Sequence, residues 1–199
     1  MDAAVVTDLV RRAAQGDQRA WEGIVDEYGG LVWSVARGFR LDEAQTADAV
    51  RTTWLRLVEH LADLREPERL PGWLRTTTRR ACLAAVRDHC REQPVHAVEP
   101  SSTPLRRDAA DDAGPETSAV RRDLKVLVRR AVATLPPRQR ALLALLVASP
   151  PVSYEEISAA LGMPVRSVGP TRERILARLR TTLETAGLHD AVSMTTLTT

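Results

Sequence analysis

The residue types able to do chemistry in this chain are concentrated near its C-terminal end and are mainly arginine. Five arginines and two hydroxyl side chains follow one another at short intervals: Arg166, Ser167, Thr171, Arg172, Arg174, Arg178 and Arg180. Guanidinium groups bind phosphate oxygens and guanine edges, and hydroxyl groups hydrogen-bond to phosphates or bases. This combination indicates recognition of nucleic acid.

Combinations typical of catalysis are missing from the sequence. It shows no paired carboxylates, no nucleophile with an adjacent base and no glycine-rich phosphate loop. The spacing of Cys82, His89, Cys90 and His96 matches no common zinc pattern. We therefore expect no enzyme, no metal site and no cofactor. Cys82 and Cys90 lie eight residues apart in a predicted helix, too far for a mutual disulfide, and are expected to be reduced packing residues.

A helix-turn-helix is the element that positions the arginines. Ser153 is suited to cap a first helix, with Glu156 completing a capping box, and Gly162 ends that helix in a sharp turn. Pro164 is suited to the opening of a second helix. In such motifs the early residues of the second helix enter the major groove. The predicted contacts to duplex DNA are Arg166, Ser167, Thr171, Arg172 and Arg174.

Positive charge is concentrated in the same part of the chain. Between Arg121 and Arg180 there are twelve basic and four acidic residues, a net charge of +8, whereas the whole chain carries +2. The rest of the chain is therefore acidic. A basic module of this kind is typical of nucleic-acid binding.

Length and hydrophobic spacing predict an all-α protein with two small domains. The chain has 199 residues, its apolar residues recur at helical intervals in both halves, and strand patterns are weak. The predicted segments are a helical domain at 1–91, a flexible linker at 92–119, a helix-turn-helix domain at 120–184 that is winged-helix-like without strands, and a disordered tail at 185–199. Because no apolar run reaches membrane-spanning length and no secretory signal pattern is present, we expect a cytoplasmic protein without membrane insertion.

The first domain is predicted to be a set of amphipathic helices. They run from Thr7 to His60, with interruptions at Gly16-Asp17 and Gly29-Gly30, and the helix that carries Trp21 begins at Asp17 or Gln18. The segment 64–72 contains two prolines and a glycine, which predicts a surface loop, and a further helix is expected from Trp73 to about Arg91.

The linker has the composition of a segment that does not fold alone. Residues 92–118 contain four prolines and six acidic residues against two arginines, a net charge of −4. Three roles stay open from sequence: masking the basic DNA-binding surface, threading a basic channel in a partner, or acting as an inert tether.

Several motifs resemble those of bacterial sigma factors of the extracytoplasmic-function type, within the sigma-70 family. The segments that look like the fourth conserved region are 135–140 (LPPRQR), 152–162 (VSYEEISAALG) and 174–180, and those that look like the second conserved region are 16–25, 47–56 and 73–80. The resemblance covers roughly residues 7–91 and 120–183, in the family's order and around a variable linker. It implies a dissociable, non-catalytic subunit of RNA polymerase that recognises promoters and helps to melt them.

The resemblance also implies roles for particular residues. Asp48, Arg51 and Trp54 correspond to a helix that docks on the clamp coiled coil of the largest polymerase subunit, with Trp54 as the apolar anchor. The residues that correspond to the element capturing the melted non-template strand at the downstream promoter box are Trp73, Arg75, Thr76, Thr77, Arg79 and Arg80. The second helix of the helix-turn-helix would read the upstream box as duplex. The expected partners are core RNA polymerase and promoter DNA, and the family leaves room for an anti-sigma protein.

The chain departs from the family pattern at two places. Arg51 and Thr52 replace a common acidic-glutamine pair in the docking helix, and Gly169-Pro170 interrupts the usual basic run of the recognition helix. Pro170 is harmless in the first turn of a helix but kinks the helix if it lies deeper. A one-component transcription regulator that binds duplex operator DNA by itself is the alternative function.

Overall fold

The computed structural model describes residues 2–92 and 115–186, and within these ranges every regular element is helical. The α-helices are α1 (Ala3–Ala14), α2 (Gln18–Gly38), α3 (Glu43–His60), α4 (Leu70–Glu92), α5 (Pro115–Ala133), α6 (Pro137–Leu146), α7 (Tyr154–Leu161) and α8 (Val165–Thr185). Two 3₁₀ turns, Leu61–Asp63 and Pro67–Arg69, lie between α3 and α4. The predicted all-α class is confirmed.

The chain divides into two compact units. The first comprises Met1–His89 with Val147–Val152, and the second comprises Cys90–Leu146 with Ser153–Thr199. The predicted linker at 92–119 falls largely on residues 93–114, which lie outside the described residues, as does most of the predicted tail.

Side-chain caps begin two helices of the first unit, α2 and α3. The Asp17 carboxylate accepts hydrogen bonds from the main-chain N–H groups of Arg19 and Ala20, at 2.9 and 3.2 Å, at the start of α2. Asp42 and Gln45 form a reciprocal capping box at the start of α3. These caps satisfy donors that have no partner inside the helix, so they fix the helix boundaries locally.

The core of the first unit is built mainly from the inward faces of α2, α3 and α4. The fully buried large side chains here are Ile24, Val32, Phe39, Leu57, Leu70 and Leu74. Helix α1 packs on α2 through Val6 and Val10, which are both buried. Burial of an apolar side chain of this size contributes about 1.5–3 kcal/mol, so this layer holds the helices against one another.

Two predictions about the first unit are wrong. The pair Gly29-Gly30 does not interrupt a helix, because α2 runs through it and its buried face continues from Tyr28 to Val32 and Val35. Packing of that face outweighs the low helix propensity of two glycines, about 1 kcal/mol each. Helix α4 begins at Leu70 rather than Trp73, since Pro71 then lies in the first turn, where its missing N–H has no helical partner to lose.

The second unit contains the predicted helix-turn-helix, formed by α7 and α8. Its core includes Leu142, Leu145, Ile157, Val168 and Ile175, all of them buried. Helix α5 begins five residues before the predicted Val120, and α6 ends two residues before the predicted Ala148. Both differences lie at helix ends, which local composition defines poorly.

Candidate nucleic-acid interface

A groove of about 830 Å³ opens at the N-terminal end of α4. Its walls are the end of α3, the two 3₁₀ turns and one face of α4: His60, Asp63, Leu64, Arg65, Glu66, Arg69, Gly72, Trp73, Thr76 and Arg80. Trp73, Thr76 and Arg80 follow one another at i, i+3 and i+7, so they share one helix face. Of the six residues predicted to contact the downstream promoter box, the structure gathers these three in the groove.

Buried contacts hold α4 so that this face stays outward. Leu70 and Leu74 are fully buried on an adjoining side of the helix. The hydroxyl oxygens of Thr53 on α3 and Thr78 on α4 lie 3.3 Å apart, and each hydroxyl donates to a carbonyl of its own helix, Thr53 to Ala49 at 2.8 Å and Thr78 to Leu74 at 2.7 Å. A satisfied polar pair in an apolar layer fixes the register of α4 on α3.

The other three predicted residues of α4 lie elsewhere. Thr77 is only 6% exposed and does not line the groove, so its contact with a base edge stays a prediction that the structure does not support. Arg75 is exposed but does not line the groove. Arg79 is half-buried, with its guanidinium 6.0 Å from the centroid of the Phe39 ring, and it donates to the carbonyl of Pro151 at 2.7 Å.

The groove offers the groups that an unpaired nucleotide requires. Residues 70–87 contain four arginines and no acid. The Thr76 hydroxyl donates to the Gly72 carbonyl at 3.0 Å, which leaves its oxygen available as an acceptor. Glu66 pairs with Arg69 at 2.9 Å, but both side chains are more than half exposed, so the pair is weak and open to rearrangement. An aromatic ring, a hydroxyl acceptor and a guanidinium together can hold a base and its phosphate.

The turn between α7 and α8 is fixed by local chemistry and by one arginine from α6. The Ser153 hydroxyl accepts from the Glu156 N–H at 3.3 Å, and the Glu156 carboxylate accepts from the Ser153 N–H at 2.9 Å. Gly162 adopts φ 59°, the left-handed conformation that favours glycine. Arg138 donates from one guanidinium nitrogen to the carbonyls of Leu161 and Gly162. The LPPRQR motif drew attention to Arg138 as part of a family resemblance, but its role in closing the turn was missed.

The exposed face of α8 contains most of the predicted duplex-reading residues. Arg166, Pro170 and Arg174 follow at i, i+4 and i+8, and Ser167 and Thr171 flank them. The Arg174 guanidinium donates to the Thr171 hydroxyl oxygen at 3.0 Å, which links two of these side chains.

Arg172 does not share this face. Helical geometry places its Cα about 120° around the axis from that of Arg166. Its guanidinium lies 3.6 Å from the Glu173 carboxylate. The structure therefore separates Arg172 from the four other predicted contacts.

Pro170 lies inside α8, beyond its first turn. Its missing amide leaves the Arg166 carbonyl without the usual i→i−4 hydrogen bond.

The outward face of α3 combines a charged pair with exposed apolar side chains. Asp48 and Arg51 form an exposed ion pair at 3.3 Å. Trp54 is half-buried and meets the ring of Trp21 edge-on, with centroids 6.2 Å apart. Leu55 and Val58 are 57% and 58% exposed, and at i+7 and i+10 from Asp48 they continue the stripe that Asp48 and Arg51 begin. These two residues were missed from sequence, although their helical register on α3 was available to find them.

Burial disfavours ionisation of both thiols, Cys82 and Cys90. Burial raises the pKa of the Cys82 thiol to about 12, and burial also raises the pKa of the Cys90 thiol, so neither forms the reactive thiolate readily. Within residues 2–92 and 115–186, no three His, Cys, Asp or Glu side chains cluster as metal ligands. His96 lies outside these ranges. In the same part of the chain, no helix has the length and hydropathy needed to cross a membrane.

Comparison with known proteins identifies a domain in the first half of the chain. Residues 24–92, which include α3, the 3₁₀ turns and α4, match the family model for sigma-70 region 2. This part of the chain is a sigma-70 region 2 domain. The chain is 27% identical over 190 residues to the RNA polymerase sigma factor NccH of Alcaligenes xylosoxydans xylosoxydans, a match that covers 93% of this chain and 98% of that protein. A solved structure of CnrH in complex with the cytosolic domain of CnrY matches 92% of this chain and 99% of that chain, with 24% identity and a TM-score of 0.38.

Proposed function

We propose that this chain is a sigma factor, which binds core RNA polymerase through the outward face of α3 and contacts a promoter at two places. The groove of α4 captures the melted non-template strand at the downstream box, and α8 reads the upstream box as duplex. The observation that carries the proposal is the convergence of Trp73, Thr76 and Arg80 on one groove at the end of an acid-free stretch of helix.

Capture of an unpaired base gives the groove a means to favour open DNA. Unstacking a base costs a few kcal/mol, and stacking on an aromatic ring returns about 1–3 kcal/mol per base. Trp73 supplies the ring, Thr76 an acceptor for a base edge, and Arg80 a cation for the adjacent phosphate. Duplex DNA hides its base faces, so the groove binds the melted strand better than the duplex.

Recognition of the upstream box rests on the exposed face of α8. Arg166 and Arg174 are positioned to contact phosphates or guanine edges, and Ser167 and Thr171 offer hydroxyls between them. Because Pro170 occupies the middle of this face, the promoter sequence read by the chain should differ from that of relatives with an uninterrupted basic run.

Docking on polymerase rests on the stripe formed by Asp48, Arg51, Leu55 and Val58. Exposed apolar side chains bordered by charges are typical of a specific, reversible contact. Such a face would bind the clamp coiled coil of the largest polymerase subunit. We expect an anti-sigma protein to inhibit the chain by covering one of the three surfaces, since initiation needs them all.

The test is to mix the purified chain with bacterial core RNA polymerase, follow co-migration by size exclusion, and transcribe a pool of genomic promoters. Co-migration together with new run-off transcripts is the expected result. Tight binding of duplex DNA by the chain alone, without association with polymerase, would instead identify a one-component regulator.

A further inference from the structure

The C-terminal end of α2 has an exposed aromatic residue that the groove does not use. Trp33 is 36% exposed, and the guanidinium of Arg37 lies 5.3 Å from the centroid of its ring. Trp33 is absent from the lining of the groove. A cation–π pair can stabilise a helix surface by itself, so a functional role requires further observations.

Arg40, just beyond the same helix end, supplies one such observation. Its backbone adopts φ 53°, a left-handed conformation that disfavours side chains other than glycine. The N–H of Arg40 donates to the carbonyl of Arg37 at 3.1 Å, which is the bond that closes the helix end. Glycine would close this turn with less strain, yet the chain places an exposed guanidinium here.

A second observation is that the end of α2 lies next to α4, the helix that lines the groove. Phe39 lies between Arg37 and Arg40, and its ring is 6.0 Å from the guanidinium of Arg79 on α4. The end of α2 therefore adjoins the helix whose other face lines the groove. No acidic residue occurs between Glu27 and Asp42, or between residues 70 and 87, so the charged residues of these two stretches are all basic.

We propose that Trp33, Arg37 and Arg40, here called the α2 corner, form a second contact for single-stranded DNA. Trp33 stacks on an unpaired base, and Arg37 and Arg40 bind phosphates of the same strand. We choose single-stranded DNA as the ligand for two reasons. The basic side chains favour a polyanion, and only an unpaired base exposes a face on which an isolated tryptophan can stack. The proposal rests on the proposed function, since it extends the path of the melted strand beyond the α4 groove.

The test measures binding of the full chain to a fluorescein-labelled, mixed-sequence single-stranded 20-mer and to its duplex, by anisotropy over a range of low salt concentrations. Trp33→Ala should weaken single-strand binding about tenfold, and Trp33→Phe should retain most of it.

Arg37→Gln and Arg40→Gly should each reduce the dependence of log K on log salt by about 0.7, the value for one phosphate contact. Arg40→Gly also relieves the left-handed strain, so it should lose affinity without losing thermal stability. Arg19→Gln, an exposed arginine at the other end of α2, is the matched control and should bind normally.

The outcomes separate this proposal from the proposed function. Normal single-strand binding by the Trp33, Arg37 and Arg40 variants, with loss in Arg80→Gln, overturns the α2 corner and leaves the groove intact. Three other results each overturn the assignment of the α2 corner. The corner variants lose the same affinity for duplex as for single-stranded DNA, the unsubstituted chain does not bind single-stranded DNA, or the corner variants no longer co-migrate with core polymerase. Failure of the unsubstituted chain to associate with core polymerase overturns the proposed function instead.

Discussion

Trp54 on α3 packs edge-to-face against Trp21 on α2, with ring centroids 6.2 Å apart and ring planes at 77°. This contact ties the two helices together and leaves Trp54 half-buried. Trp54 therefore packs α3 against α2, while Leu55 and Val58 are apolar side chains of the same helix that stay exposed.

Substitution of the exposed pair tests this division of roles. Leu55→Ser with Val58→Ser should weaken association with core polymerase about tenfold or more, because the apolar contact area is lost. Their exposure means that the thermal unfolding midpoint should hardly change. Trp54→Ala should instead lower the free energy of unfolding by about 2 kcal/mol through loss of the aromatic pair and of buried area.

The measurements are a competition titration with core polymerase and thermal unfolding by circular dichroism. Val5→Ser, at a 47% exposed position on α1, is the control for removal of a surface apolar group and should bind polymerase normally. Full polymerase binding by the double variant would show that the stripe on α3 is not the docking surface.

If the α4 groove binds the melted strand, the effect of removing an arginine from α4 on promoter opening should depend on its position along the helix. Arg80→Gln and Thr76→Val should each reduce promoter opening about tenfold, since they remove a phosphate contact and a base-edge acceptor. Arg87→Gln removes the same charge two turns further along α4, outside the groove lining, and should have a much smaller effect.

Opening is measured by permanganate reactivity of unpaired thymines on a promoter obtained from the run-off pool. Equal defects for Arg80→Gln and Arg87→Gln would indicate diffuse electrostatic attraction rather than a defined groove.

Two glycines with opposite backbone conformations should respond in opposite directions to the same change. Gly162→Ala places a Cβ at φ 59° in the turn of the helix-turn-helix, and should cost about 1–2 kcal/mol of stability. Gly30→Ala lies within α2, where a Cβ would meet no atom within 4 Å, and should stabilise by about 0.5–1 kcal/mol. Denaturant unfolding of both variants checks the pair. Destabilisation by Gly30→Ala would indicate that the absence of a side chain at this position of α2 is required for the stability of the fold.

Acid stability should depend on the cap of α2. A hydrogen bond from the Arg12 guanidinium, at 2.7 Å, is the largest cause that holds the pKa of the Asp17 carboxyl below its usual value, and the N–H of Ala20 adds to it. Because the folded-state pKa is lowered, the ionised carboxylate stabilises the fold above about pH 4, and this contribution is lost as pH falls through the folded-state pKa.

The stability difference between the unsubstituted chain and Asp17→Asn should therefore be present near pH 7 and shrink below about pH 4. Asparagine can still cap the helix, so the variant isolates the charge. Arg12→Gln should reduce the same acid-dependent difference, and Arg11→Gln serves as its control. A difference that stays constant from pH 7 to pH 2 would contradict the role of the ionised carboxylate.

Sequence by itself determined the elements whose causes are local. The helix starts at Asp17 and Ser153 and the left-handed turn at Gly162 involve groups within a few residues of one another, so residue types at short spacing were enough. The all-α class followed from helical spacing, and the resemblance to sigma factors followed from motif order. Gly29-Gly30 shows the limit of local propensity, because buried contacts on either side of the pair keep α2 continuous.

Tertiary structure alone decided which side chains face outward. Thr77 and Thr76 are neighbours of the same chemical type, yet packing of α4 buries one and places the other in the groove. Trp54, the anchor that the family resemblance implies, packs edge-on against Trp21, more than thirty residues earlier, whereas Leu55 and Val58 on the same helix stay exposed. Exposure depends on contacts between residues far apart in the chain, and these contacts exist only once the helices have packed.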